Sequence, residues 1–194
     1  MRAALLTAAF LTAAPLALLS QAPQPPRATT LRAVLLEQLH STHDKSEWFV
    51  SFDTAVANLT PEQARWLPHP AGPTPAGAQM HSVAQLVAHL VYWNENSLAR
   101  LRGQKPAPYS GNNEDTFVGY DVNHITAAQW SALTARYDRC MTDLEQWVQS
   151  ASDADLAAHA SGLAHIGTHN AYHIGEIVYD RKLQSSWNPA TGVK

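Results

Sequence analysis

The sequence predicts an all-α protein with the architecture of a four-helix bundle. Apolar residues recur at helical spacing in four long segments. Three helix starts carry a capping box, in which Ser or Thr precedes Gln by three residues. No segment shows the sustained apolar–polar alternation of a β-strand between hairpin turns. The pattern also predicts a short extra helix after the first long helix and a long loop between helices two and three.

The composition suits one ordinary domain and excludes several classes of protein. The chain has 194 residues, of which 45% are hydrophobic, and a formal net charge of −3. This charge gives no basic footprint for nucleic acid. The single cysteine, Cys140, excludes an intrachain disulfide framework. It falls on a predicted apolar helix face, which indicates a thiol in the core.

Residues 1–28 are predicted to be an export signal or an N-terminal anchor. A basic residue precedes an uncharged run over 3–20, and small residues follow at the spacing of a signal peptidase site. The run is close to the length of a membrane span, so an uncleaved anchor is the alternative. A periplasmic or extracellular location is therefore expected, with the bundle over 29–184 and a C-terminal tail over 185–194.

The first long helix is predicted over 30–59, where seven apolar residues lie close to one stripe. Thr42 and Ser46 interrupt this stripe at positions where large apolar side chains are expected. The interruption indicates either a cavity beside the middle of the helix or a kink. Thr60 then begins a capping box with proline at the first helical position, which predicts the short extra helix.

The second long helix is predicted from the capping residue Ser82 to Arg102, with Gly103 as a natural C-cap. A loop rich in proline and glycine precedes it over 68–77. A polar connection over 104–125 follows it and forms the long loop between helices two and three.

The third long helix is predicted to begin after Thr126, which opens another capping box, and its apolar row continues to Val148. The fourth is predicted over 161–183. In such bundles, sites are built by side chains that point inward from facing helices.

Three histidines of the fourth helix, His165, His169 and His173, fall at i, i+4 and i+8 on one helix face. Two imidazoles one turn apart can bind one metal ion, but the first and third are too far apart to share an ion on a straight helix. The pair is therefore either His165–His169 or His169–His173. On the second helix, His89 faces inward at the edge of the apolar stripe and is the candidate third ligand. Three histidines with an open position are typical of a catalytic site.

The residues around this histidine row limit the types of reaction that the site is expected to catalyse. Asn170 stands where a His-Glu-x-x-His metalloprotease carries its glutamate, so proteolysis of that type is disfavoured. Glu176, three residues after His173, is interpreted as a catalytic base or as an acceptor that orients the histidine ring. Asp180 is interpreted as part of a solvated helix end. Two further histidines could approach the site from the first helix, His40 and His43, and four are expected to be exposed: His69, His81, His124 and His159.

Three motifs together indicate a family. They are the helix exit at 59–63, the helix that opens at 81–83 and carries Ala-His-Leu at 88–90, and the closing motif at 168–177. In their order and separation they resemble the DinB/YfiT-like superfamily of metal-dependent enzymes. The resemblance spans most of residues 30–184.

This resemblance implies a four-helix bundle that holds a divalent metal ion on three histidines. Carried over by position, the ligands are His89, His169 and His173, and His165 becomes a pocket residue. The implied metal is nickel or zinc, with manganese or iron as alternatives. Characterised members include transferases and isomerases that use low-molecular-weight thiols, and many members are dimers. The implied partners are therefore a small-molecule substrate, a thiol and a second copy, with a membrane involved only if the N-terminal segment is uncleaved.

Three functional hypotheses follow. The first is a metal-dependent enzyme, either a small-molecule hydrolase or a thiol-dependent transferase, with Glu176 as a base. Export would separate the chain from cytosolic thiols, which weighs against the transferase. The second is an exported, non-catalytic helical bundle that binds a metal or a ligand. The third is that the histidines are simply part of the core.

Overall fold

The computed structural model describes residues 30–69, 72, 79–117 and 124–193. These residues contain no β-strand, which confirms the all-α prediction, and none of their helices is long and apolar enough to cross a membrane. The predicted signal over 1–28 and most of the loop over 68–77 lie outside the described residues. The helices found in the described part are α1 (Leu31–His43), α2 (Phe52–Val56), α3 (Pro61–Ala64), α4 (Val83–Leu101), α5 (Ala127–Ser150) and α6 (Asp153–Leu183), with short 3-10 turns at Asn113–Thr116 and Pro189–Thr191.

Four of these helices, α1, α4, α5 and α6, form the predicted bundle. Helix α4 packs against α5 and α6, and α1 packs against the same two helices. The four helices therefore surround one apolar core. Its largest fully buried side chains include Leu39, Phe52, Leu90, Leu133, Tyr137, Met141, Leu144, Ile174 and Ile177.

The prediction of one continuous helix over 30–59 is wrong, because α1 ends at His43 and α2 begins only at Phe52. The Thr42 hydroxyl donates to the Leu39 carbonyl at 3.0 Å, a local bond that competes with helix continuation. The Tyr137 hydroxyl donates to the Thr42 carbonyl at 2.9 Å and satisfies one of the carbonyls left open at the helix end. The polar interruption of the apolar stripe therefore marks a helix terminus, not a cavity or a kink.

The capping boxes predicted for α3, α4 and α5 are all present. In α4, Ser82 Oγ accepts from the Gln85 amide nitrogen, and Gln85 Oε1 accepts from the Ser82 amide nitrogen at 2.9 Å. After α4, Gly103 adopts φ +66°, a left-handed conformation that favours glycine. The start of α4 therefore fixes the helical register of His89 as the sequence predicts.

Helix α6 begins at Asp153, well before the predicted start at 161. Ser152 caps it, because Ser152 Oγ accepts from the Asp155 amide nitrogen at 3.1 Å, and the two acidic residues of the first turn favour the positive end of the helix dipole. The guanidinium of Arg32 donates to the carbonyls of Gln149 at 2.9 Å and Ala151 at 2.8 Å. The first turn of α1 thus holds the corner between α5 and α6.

Candidate metal centre

Three histidines from two neighbouring helices converge in the bundle. His89 comes from α4, and His169 and His173 come from α6; one ring nitrogen of each lies within 4.8 Å of the others. The Nε2 atoms of His89 and His169 are 3.0 Å apart. Two nitrogens bound to one ion at about 2.1 Å lie roughly 3.0–3.4 Å apart. The three rings could therefore hold one metal ion.

The sequence alone left two pairs open on α6. The structure brings His169 and His173 to His89, whereas His165 is exposed and lines the same pocket outside the group. His173 is only 7% exposed and His89 only 2%. The group is consequently set into the bundle, and His165 lies towards its solvent side.

Thr116 determines which nitrogen of His89 carries the proton. The Thr116 hydroxyl donates to the Asn113 carbonyl at 2.6 Å. Its oxygen therefore accepts from Nδ1 of His89, which is 2.5 Å away. With the proton on Nδ1, the Nε2 atom of His89 has a free lone pair that points towards His169.

Glu176 has the same effect on His173. Nδ1 of His173 donates to Oε2 of Glu176 at 2.6 Å, so Nε2 of His173 carries the free lone pair. A carboxylate behind a histidine is the usual way in which proteins orient a metal-binding ring. The Glu176 side chain is still 40% exposed and lines the pocket.

Burial keeps two of the three rings neutral near pH 7. It lowers the pKa of His89 to about 3, with further lowering by His173 and His169. Burial, followed by the electrostatic effect of the neighbouring His173, lowers the pKa of His169 to about 4. Neutral imidazole is the form that binds metal ions, so neither ring must first release a proton.

An aromatic wall covers one side of the group. The Phe117 ring stacks between His81 and His89, with centroid separations of 3.8 Å and 3.9 Å. His81 also places Nε2 2.9 Å from Oε2 of Glu114. The expected exposure of His81 is wrong, since this stacking leaves its side chain only 16% exposed. The other three histidines expected at the surface, His69, His124 and His159, are exposed.

Sequence reasoning missed the groups that the connection between α4 and α5 contributes. Thr116 and Phe117 lie in a segment without helical periodicity, where no spacing points to a site. His81 did carry a signal, because it directly precedes the capping residue Ser82 and lies eight residues before His89. His81 and Phe117 border a cavity of about 810 Å³ that the three histidines of the group also line, a volume typical of small-molecule sites.

Two of the remaining candidates lie away from this cavity. His43 is buried against Glu145 and Asp138 of α5, and His40 lies near the same glutamate, so neither joins the group. Cys140 is buried, as predicted, and burial raises the pKa of its thiol to about 12.

The expectation that Asp180 is solvated at a helix end is wrong. This residue is 6% exposed. The neighbouring Arg181 is also buried and donates to the Ala55 carbonyl at 2.6 Å, which holds this end of α6 against the segment containing α2.

The fold and the site together define a helical bundle with a buried three-histidine group that could hold a metal ion. A family model described as the DinB superfamily matches residues 50–177, a range that contains all three histidines and Glu176. The chain belongs to the DinB superfamily. No match was found among curated proteins or among solved structures.

Proposed function

We propose that the chain binds one divalent metal ion through Nε2 of His89, His169 and His173. One observation carries the proposal: one ring nitrogen of each histidine lies within 4.8 Å of the others, and the Nδ1 atoms of His89 and His173 are bonded to partners outside the group. A simple hydrogen bond between histidines explains less. The single N–H of a neutral His169 can satisfy only one of the two lone pairs, so the other has no donor within the group. A bound cation would interact with the lone pairs of all three rings.

We propose further that this pocket acts on a small molecule, as a hydrolase or as a thiol-dependent transferase. A bound divalent ion would supply Lewis acidity towards a water, a carbonyl or a thiol. Three histidine ligands are a number that catalytic zinc sites use. Imidazole ligands suit nickel and zinc, and iron or manganese are the alternatives.

Glu176 and Tyr172 are the candidate proton-transfer groups of this pocket. The carboxylate of Glu176 holds the Nδ1 proton of His173 and also borders the cavity, where it can accept a proton from a bound molecule. The charge of Glu176 and a hydrogen bond between the two side chains raise the pKa of Tyr172, so the tyrosine hydroxyl stays protonated next to the carboxylate. Phe117 and Trp93 also line the cavity.

The first experiment is elemental analysis of the purified protein, as the wild type, His169→Ala and His165→Ala. The last variant is a matched control, because His165 lies on the same helix one turn away and outside the group. We expect about one ion per chain in the wild type and the control and almost none in His169→Ala. Circular dichroism checks that all three are folded. Equal metal content in His169→Ala would refute the ligand assignment.

A second candidate function is non-catalytic binding of a metal or a ligand. The engagement of Glu176 with His173 favours it, because that carboxylate already has a partner. A cobalt-substituted sample separates the two candidates. A change in its visible spectrum on addition of 2-mercaptoethanol would show an exchangeable position, as catalysis requires, whereas an unchanged spectrum would favour the binding role.

A further inference from the structure

A second cavity, of about 340 Å³, adjoins the histidine pocket. The two cavities share four lining residues, Gln79, His81, Tyr172 and Glu176. The second cavity lies further along α6 towards its C-terminus, where Asp180 lines it together with Leu86 of α4.

Asp180 is a buried carboxylate without a counter-ion among the described residues. It is 6% exposed, and its Oδ2 atom is buried and has no hydrogen-bond partner. The adjacent Arg181 does not neutralise it, because that guanidinium donates to the carbonyls of Ala55 and Ser186. A buried, unpaired carboxylate is costly unless it takes up a proton or a cation. Burial and the charge of Glu176 raise the pKa of Asp180 to about 7, because both make the charged form of the carboxyl less favourable.

We propose that this second cavity binds a primary ammonium group of the substrate, with Asp180 as its counter-ion. This inference rests on the proposed function, since the histidine group would hold the other end of the same molecule. The small molecule is then an amine whose reacting group lies at a distance from its nitrogen. An ammonium offers three donors to the carboxylate and relieves the repulsion between Asp180 and Glu176, which lies one helical turn before it.

The lining favours an alkylammonium over a metal ion. Calcium and magnesium require six or more oxygen ligands, whereas the carboxylates that line this cavity are those of Asp180 and Glu176. Leu86 and Met80 supply apolar surface for a methylene chain. The nearby Tyr179 adds an aromatic ring, whose face attracts cations.

The spacing of the two ends sets the size of the molecule. Asp180 follows His173 by seven residues on the same helix. Seven residues correspond to roughly 10 Å along the helix axis. A metal–sulfur bond takes up about 2.3 Å of this span, and a charge-assisted N–H···O contact takes up about 2.8 Å. The remaining distance of roughly 5 Å between sulfur and nitrogen corresponds to a chain of about three carbons.

The test uses the full chain loaded with cobalt and a series of probe thiols. Each ω-aminoalkanethiol is compared with the ω-hydroxyalkanethiol of equal length, and binding is followed by the thiolate-to-cobalt absorption. With three carbons, we expect the amine to bind about tenfold tighter or more, because charge-assisted hydrogen bonds are worth that much.

Two substitutions complete the test. Asp180→Asn should abolish the preference for the three-carbon amine and leave cobalt loading and the affinity for the hydroxythiol unchanged. Asp143→Asn removes the same charge from a surface pair with Arg102, about 24 Å along α4 from Leu86, and should retain the preference.

The two possible failures are distinguishable. If the protein takes up no cobalt, or if the hydroxythiols do not bind, the proposed function is wrong. If cobalt and the hydroxythiols bind but the amine has no advantage at any length, the ammonium subsite is wrong. An advantage that survives in Asp180→Asn would also refute it.

Discussion

Nδ1 of His43 lies 2.8 Å from Oε1 of Glu145, and this contact joins the end of α1 to α5. The other ring nitrogen of His43 lies 3.0 Å from Oδ1 of Asp138, so both nitrogens face carboxylates. His43 is only 4% exposed. The histidine therefore acts as a buried cation between two acidic side chains of one helix, next to the point where α1 stops.

This arrangement predicts that stability falls as the pH rises. Burial lowers the pKa of His43, but the hydrogen bonds to Glu145 and Asp138 outweigh burial and raise it to about 9. The folded pKa lies above the ordinary histidine value of 6.5, so the stabilisation is complete below about pH 6.5 and is lost as the pH rises through 9. The loss amounts to about 3 kcal/mol, since one pKa unit corresponds to about 1.4 kcal/mol.

Urea denaturation at pH 6, 7, 8 and 9 measures this loss. His43→Gln should be less stable at pH 6 and should show a flatter pH dependence, whereas His159→Gln, at an exposed position on α6, should follow the wild type. A wild-type free energy of unfolding that stays constant from pH 6 to pH 9 would contradict the assignment.

Replacing Thr116 by valine should weaken metal binding without removing a ligand. Valine keeps the shape of threonine but cannot accept the Nδ1 proton of His89, so the ring loses its fixed tautomer. We expect the dissociation constant of the metal to rise roughly 10- to 100-fold, the usual cost of losing such a partner. Titration with a competing chelator gives the value. Thr134→Val, a threonine of α5 that bonds only within its own helix, is the control and should bind as tightly as the wild type.

Replacing Arg32 by alanine should destabilise the corner between α5 and α6. Its guanidinium donates to the carbonyls of Gln149 and Ala151, which have no partner within α5. We expect a loss of about 1–3 kcal/mol in the free energy of unfolding, as for hydrogen bonds that involve a charged group. Arg139→Ala removes an exposed arginine of α5 and should change stability by less than about 0.5 kcal/mol. Equal losses in both variants would show that the corner contact contributes nothing specific.

Two glycines of α6 should respond differently to alanine. A Cβ at Gly175 would have nothing within 4 Å, so Gly175→Ala should stabilise the protein by about 0.5–1 kcal/mol through its better helix propensity. A Cβ at Gly167 would lie 3.3 Å from Cβ of Gln38 on α1, closer than most real contacts. Gly167→Ala should therefore gain less or lose stability. Thermal melts of the two variants measure the difference. A larger gain in stability for Gly167→Ala than for Gly175→Ala would contradict the prediction.

The helix starts were the most predictable part of this fold. Ser82 and Thr126 carry both halves of a capping box, a local signal that needs no tertiary contact. The start of α6 was missed because Ser152 pairs with an aspartate at the third position, where the usual signal is Glu or Gln. The end of α1 was missed because the Tyr137 hydroxyl that supports it comes from a residue 95 positions away.

The residues of the candidate site also fall into a group that the sequence predicts and a group that it does not. His89, His169 and His173 could be selected from helical spacing, because a helix converts sequence separation into a shared face. Thr116 and Phe117 could not, because the connection that carries them has no period and its path depends on the packed bundle. The burial of Asp180 could not be predicted from the sequence either. It depends on the bond from Arg181 to the Ala55 carbonyl, which holds the end of α6 against the segment containing α2.

The dependence of His89 on the Asn113–Thr116 turn has a thermodynamic consequence. This turn lies outside the bundle helices, and the segment holds the ring through the contact from Thr116 to Nδ1 and the stacked Phe117 ring. If the turn detached, the His89 ring could change tautomer. The fraction of molecules with the turn attached is therefore linked to the fraction whose His89 ring has Nε2 free to bind an ion. Any ion that selects the competent ring would also favour the attached turn by mass action. Slower deuterium uptake at the amide of Phe117, which bonds to the Glu114 carbonyl, would then accompany saturation of the histidines.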